Sequence, residues 1–231
     1  MTSRPAGIGF DFDHTLGVDN GLERRALYDV AAEVSRPISE RDENLRARVD
    51  DLLAGFRGGA FDIEEMLHRF SAERGMPDIA PEHWRERCYA LVDELVRPMP
   101  GARETIALLR ARGVPLAILT NGWSPLQQMK IARALGAHAI DIVLVSDEIR
   151  SEKPERAAFD ALVDALGGAR EATWYVGDNA RTDVGGALAA GLRAIWFDWE
   201  GQTYPPDLPP PSGIVHALRE LEALTENASV P

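Results

Sequence analysis

The sequence predicts an α/β protein: a parallel sheet with crossover helices, interrupted near its start by a helical insertion. From Gly101 onward, short apolar runs alternate with helix-length amphipathic stretches. Strands spaced in this way pair in parallel, because parallel neighbours need a crossover between them. Polar and acidic residues stand where the apolar runs end, and such sheets collect ligands at the carboxyl ends of their strands. Between about Gly17 and Pro98 the alternation stops and only helical patterns remain.

The run Ile8–Leu16, in which Asp11 and Asp13 alternate with Phe10 and Phe12, reads as a first strand that ends in the two acids. Strand alternation would put both carboxylates on one side, where sheet gives way to loop. Two adjacent acids in a buried setting are costly unless something neutralises them, as a metal ion and a phosphoryl substrate would. The insertion reads as helices over Gly21–Val34, Ser39–Leu53, Asp62–Arg74 and Glu82–Val96. Asn20, Ser39 and Asp62 are its candidate N-caps, and Asp62-Ile-Glu-Glu65 resembles a capping box. A helix over Gly101–Arg112 stops at Gly113, and the strand Pro115–Leu119 ends in Thr120-Asn121-Gly122. Ser124 and Gln127 form a capping-box pattern for a helix to Leu135. Ile140–Val145 is strand-like, Glu155–Leu166 helical, and the strand Thr173–Val176 ends in Gly177-Asp178-Asn179. A helix over Thr182–Ala190 and a strand over Ala194–Phe197 follow. Beyond the proline-rich stretch Tyr204–Pro211, Ile214, Leu218, Leu221 and Leu224 make a final helical stripe.

With 231 residues, 45% hydrophobic and 27% charged, the composition is that of an ordinary globular protein. The expected division is a discontinuous core of residues 1–16 and 99–231, with residues 17–98 as a second, helical domain. A net charge of −12 argues against a nucleic-acid backbone as partner, which needs clustered Lys and Arg. Lysine is so scarce that each one is informative: only Lys130 and Lys153 occur. Cys88 stands alone, so no intrachain disulfide forms and a reducing compartment fits. Met1–Gly7 lacks the apolar core of a signal peptide, and no run approaches the roughly 20 apolar residues that span a bilayer. A cytoplasmic protein with no membrane partner is expected.

Four short motifs in order, Asp11-Phe-Asp13-His-Thr15, Thr120-Asn121-Gly122, Lys153 before Pro154, and Gly177-Asp178 through Asp183, resemble those of the haloacid dehalogenase-like hydrolase superfamily. The likeness runs from about Ala6 to Phe197, and the insertion is similar to that family's alpha-helical cap. It implies a Rossmann-like core and a magnesium-dependent phosphatase acting on a small phosphorylated metabolite. By resemblance Asp11 is the nucleophile that forms an aspartyl phosphate, and Asp13 protonates the leaving oxygen and later activates water. Thr120, Asn121, Gly122 and Lys153 would hold the phosphate, the second and third through backbone N–H groups. Mg²⁺ would be held by Asp11, the Asp13 carbonyl and Asp178. Asp183 would either touch the metal through water or orient Lys153.

The resemblance also implies a cap that hinges near Leu16–Asp19 and Val96–Gly101 and selects the substrate. Arg57, in the Gly55–Phe61 connection, is a candidate for an anionic substrate group or a plain solvated side chain. Trp84, Tyr89, Leu91 and Leu95 read as cap core. His14 stands where many relatives have glycine and is read as a neighbour of the site, not a catalyst. A phosphosugar mutase of the same superfamily remains an alternative, as does a non-catalytic binding protein that retains the fold. Dehalogenation has no use for Asp13 as an acid, and residues 17–98 contain no lysine for Schiff-base phosphonate chemistry. The substrate's identity and the oligomeric state are left open.

Overall fold

The computed structural model describes residues 5–34, 42–57 and 60–226. It divides into two compact units: residues up to Val18 together with Arg97 onward, and Asp19–Val96. Along the chain, β1 (Gly7–Phe10) and the two-residue β2 (Gly17–Val18) precede the helices α1 (Leu22–Val34), α2 (Glu43–Arg57), α3 (Ile63–Ala72) and α4 (Pro81–Leu95). The first unit resumes with β3 (Arg97–Pro98), α5 (Ala102–Ala111), β4 (Leu116–Thr120), α6 (Leu126–Leu135), β5 (Ile142–Val145) and the single turn α7 (Ser146–Ile149). It finishes with α8 (Arg156–Leu166), β6 (Thr173–Gly177), α9 (Gly186–Ala189), β7 (Arg193–Phe197), β8 (Gly213–Val215) and α10 (Glu220–Glu226).

Six strands form one sheet in the order β5-β4-β1-β6-β7-β8, and every pairing in it is parallel. β1 is central, so the segment that follows it emerges mid-sheet with β4 and β6 as neighbours. On one face, Ala117, Leu119, Tyr175, Ala194 and Trp196 alternate inward and pack on Phe159, Leu162 and Leu166 of α8 and on Val184 and Ala187. Burying each large side chain of this kind stabilises by about 1.5–3 kcal/mol, before the loss of chain entropy. The Phe159 and Tyr175 rings meet edge to face, with centroids 5.2 Å apart. Gly9 lets α8 close on the centre of the sheet: a Cβ there would lie 2.5 Å from Leu162.

The structure departs from the sequence expectations at a few points. β1 ends at Phe10, so Asp11 and Asp13 lie beyond the strand. The Ser124–Gln127 capping box does not form: α6 begins after Pro125 without a side-chain cap. Ser124 Oγ instead donates to Glu148, and Gln127 turns to other partners described below. The expected helix at Thr182 starts earlier, as a wide π-helical turn over Ala180–Gly185 that runs into α9. Ile214 belongs to β8 and is exposed, whereas Leu218 and Leu221 are buried, so the final stripe spans a strand and a helix. A three-residue edge strand is too short to show its own period. The antiparallel pair β2–β3 was equally invisible, two residues from each side being all it contains.

In the helical unit, Asp62 caps α3 by accepting from Glu65 N at 2.9 Å, and Pro81 opens α4 where no backbone donor is needed. Ser39 lies outside the described residues. Trp84 is fully buried and donates to Glu23 O at 3.2 Å; Leu91 is buried, while Tyr89 and Leu95 are half-buried beside the buried Cys88 and Val92. Arg57 ends α2 and is ion-paired with Glu23 of α1. Among the described residues, no helix is long and apolar enough to cross a membrane.

Candidate active site

Asp11 continues the ladder of β1, its N–H donating to Val176 O at 2.9 Å, and its side chain is buried at the mouth of the sheet. Lys153, just before α8 and 4% exposed, reaches it: Nζ lies 2.5 Å from Asp11 Oδ1, 2.8 Å from Asp183 Oδ1 and 2.9 Å from the Tyr175 hydroxyl. Tyr175 in turn donates to Leu119 O at 2.8 Å. The lysine main chain is clamped by Asn121, whose amide accepts from Lys153 N and donates to Lys153 O, each at 2.8 Å. The Asn121 side chain therefore joins the end of β4 to the lysine loop, a role sequence reading missed.

Thr120 is buried at the last position of β4, with its hydroxyl 3.4 Å from Asn121 O. Gly122 does not offer the free N–H expected of it. With φ at +144°, its peptide faces the start of α7, and the N–H donates to Ser146 Oγ at 3.0 Å. A side chain at this position would collide with Gln127, a Cβ falling 2.4 Å from Nε2.

Asp178 follows β6 and Asp183 lies in the π-helical turn, which Asn179 opens by accepting from Arg181 N and Thr182 N. Carboxylate oxygens of Asp11, Asp178 and Asp183 all lie within 4.8 Å of one another. Asp183 is occupied on both sides, with Oδ1 on Lys153 and Oδ2 accepting from Asn179 N at 3.0 Å. Thr15 Oγ1 accepts from Asp178 N at 3.1 Å, and the Trp196 indole donates to Asp178 O at 2.8 Å. Gly177 leaves room for this packing, since a Cβ there would stand 2.4 Å from Asp183 Oδ2.

One lysine cannot balance three carboxylates, two of them buried and Asp178 half-buried. Burial, with Asp11 and Asp183 close by, pushes Asp178 up to about 8 against the pull of Lys153. Burial likewise raises Asp11 to about 7; Lys153 opposes the rise, and Asp183 and Asp13 add to it. Lys153 itself is held well above its ordinary value by Asp11 and Asp183, although burial works the other way. Hard oxygen donors in a pocket short of positive charge suit a small dication, and Asp11 and Asp178 are the carboxylates best placed to hold one.

Asp13 stands apart from this cluster. Its Oδ1 lies 2.5 Å from Lys130 Nζ, and its Oδ2 accepts from Gln127 Nε2 at 2.8 Å. Because β1 stops at Phe10, strand alternation does not carry both carboxylates to one partner; each meets a different lysine. Gln127 and Lys130 are one helical turn apart on α6 and so share a face. That spacing was the available signal for both, but Gln127 read as a cap and Lys130 only as scarce. His14 adopts φ +62°, the left-handed region that glycine enters at least cost. Its N–H donates to Gly17 O at 2.7 Å, and its ring stacks parallel to Trp199 with centroids 6.4 Å apart.

Residues 6–191 match the family described as haloacid dehalogenase-like hydrolase. The chain is 29% identical over 223 residues to pyrimidine 5′-nucleotidase YjjG of Escherichia coli, covering 94% of this chain and 96% of that one. It is 43% identical over 121 residues to a phosphoserine phosphatase of Thermus thermophilus, covering 52% of this chain and 49% of that one. A crystal structure of the HAD-hydrolase YfnB from Bacillus subtilis, described as bound to magnesium, superposes with a TM-score of 0.78 at 21% identity, covering 96% of this chain and 99% of that one. With a match spanning most of its length, the chain belongs to the haloacid dehalogenase-like hydrolase family.

Proposed function

We propose that this hydrolase is a magnesium-dependent phosphatase that cleaves a small-molecule phosphate monoester through an aspartyl phosphate on Asp11. The observation that carries the reading is the cluster of Asp11, Asp178 and Asp183, paired among the described residues with the single cation Lys153. The chemistry of the donor set supports Mg²⁺, with Asp11, Asp178 and the Asp13 main-chain carbonyl as its ligands and Asp183 acting through Lys153 or a bridging water. Bound there, the ion would offset the charge of nucleophile and phosphate as they approach each other. Relatives named as phosphatases and as a nucleotidase point to phosphate esters as the substrate class. The net charge of −12 favours a small phosphorylated metabolite over nucleic acid.

In the first half-reaction an Asp11 oxygen attacks phosphorus and the bond from phosphorus to the ester oxygen breaks. Protonated Asp13 gives its proton to that leaving oxygen, so the alcohol departs neutral. Lys153, the Thr120 hydroxyl and the Asn121 N–H hold the phosphoryl oxygens while charge redistributes over them. In the second half-reaction the Asp13 carboxylate takes a proton from water as its oxygen attacks phosphorus. The bond between phosphorus and Asp11 then breaks, inorganic phosphate is released, and both carboxyl groups return to their starting states. Gly122 has no part in this scheme, its N–H being committed to Ser146.

Phosphate release from p-nitrophenyl phosphate and from a panel of phosphorylated metabolites tests the reading. Turnover should require Mg²⁺, stop on chelation and be abolished by Asp11→Asn in a protein that stays folded. Full activity after exhaustive chelation, or in Asp11→Asn, would contradict it. Transfer of phosphate back to the product in place of its release would favour the mutase.

A further inference from the structure

We propose that Lys130 and Gln127 are positioning residues for Asp13, fixing both of its oxygens so that it delivers its proton to the leaving group; this rests on the phosphatase reading above. Lys130 is 3% exposed, yet the carboxyl group it meets belongs to a side chain that is 29% exposed. Burying an ammonium ion costs several kcal/mol, and a close carboxylate only partly offsets that. Apart from Gln127, the other buried residues of α6 are apolar, namely Leu126, Ile131, Ala134 and Leu135, so packing alone would be served by a hydrocarbon side chain. A buried cation aimed at a half-exposed acid is therefore a feature that stability does not require.

The geometry specifies what the cation accomplishes. Lys130 stands as an ion-pair partner 2.5 Å from the buried Oδ1 of Asp13, and Gln127 takes one lone-pair site on Oδ2. With Oδ1 buried, Oδ2 is the oxygen left to meet a substrate or a water. Gln127 is itself fixed, because the same Nε2 donates to Asn121 O at 2.9 Å. Asp13 is thus tied through Gln127 to the segment whose Asn121 side chain clamps Lys153. Proton donor and phosphate-binding lysine share one scaffold, so their separation is set by hydrogen bonds and not by loop conformation. An acid held this way loses little freedom on reaching the transition state, which is the condition for efficient proton transfer.

Leaving groups separate a positioning role from a structural one. p-Nitrophenolate departs with little help from a proton, whereas the benzyl alkoxide of benzyl phosphate needs one. Under single-turnover conditions with enzyme in excess and Mg²⁺ present, alcohol release reports the first half-reaction alone. Lys130→Met should slow benzyl alcohol release by about 10²-fold and nitrophenolate release by less than about tenfold, with the concentration dependence of both little changed. Lys130→Arg should restore most of the benzyl rate. Gln127→Ala, which keeps the buried ion pair, should show the same asymmetry more weakly and serves if Lys130→Met does not fold. Equal losses on both substrates, or no loss on either, would overturn the proposal. Asp13→Asn is the control for the parent reading: if it shows no leaving-group dependence, Asp13 is not the acid and that reading fails first.

Discussion

Asp11 and Asp13 are two residues apart, yet their surroundings differ in the respect that decides chemistry. Around Asp11, three carboxylates share one lysine, and burial, with the neighbouring carboxylates adding to it, lifts Asp11 to about 7 and Asp178 to about 8. Around Asp13, one carboxylate meets one lysine and one amide, and the charges balance. The first pocket calls for a cation from outside; the second is complete with what the chain supplies. Since β1 ends at Phe10, strand alternation no longer governs the two acids, and each pairs with a different lysine. A short motif can therefore place one residue type in two different electrostatic settings, which the proposed mechanism uses as nucleophile and as acid.

The sharpest way to break this contrast is to remove the cation from the first pocket. Lys153→Met leaves Asp11, Asp178 and Asp183 without their paired lysine and takes away the proposed ligand of the phosphoryl group. The rate of phosphate release should fall by about 10³-fold, more than for Lys130→Met, because a fixed charge next to the reacting phosphorus is lost. Activity within tenfold of wild type would mean that the two lysines are not distinguished as described.

A smaller effect should appear in stability. Asp11 and Asp178 have folded-state values near 7 and 8, well above the ordinary 3.8. Between those limits the metal-free folded state binds more protons than the unfolded one. The contribution of these groups to stability is thus fully present below about pH 4 and is lost as pH rises through about 7 to 8. Mg²⁺ competes with the same protons, so it should raise the Tm by about 3 °C or more near pH 8 and by clearly less near pH 6, as read by differential scanning fluorimetry. An equal shift at both values would place the ion elsewhere.

Much of the fold was legible because its elements are long and their periods distinct. The strands β4, β6 and β7 and the helices α5 and α8 fall within a residue or two of the sequence expectations. The acids and the lysine of the first pocket were legible as well, each standing where an apolar run or a helix begins or ends. What escaped was what depends on a side chain crossing space. Nothing local distinguishes Gln127 as a partner of Asp13 from Gln127 as a helix cap, and the choice is made by the approach of α6 to the end of β1. Gly122 was misjudged for the same reason: a turn residue's N–H goes to whatever stands opposite, and Ser146 is brought there by β5 pairing with β4. β8 and the β2–β3 pair are too short for any pattern to register.

Chemical trapping of the covalent intermediate tests the central claim, that Asp11 carries the phosphoryl group, most directly. The enzyme would be mixed with Mg²⁺ and a phosphate ester that it turns over, quenched in acid within a turnover, reduced with borohydride and digested for mass spectrometry. An acyl phosphate at Asp11 is reduced to homoserine, so the peptide containing Phe10 and Phe12 should carry homoserine at position 11, dependent on both substrate and Mg²⁺. Homoserine at another aspartate, or none during demonstrated turnover, would contradict the assignment of Asp11 as phosphoryl acceptor.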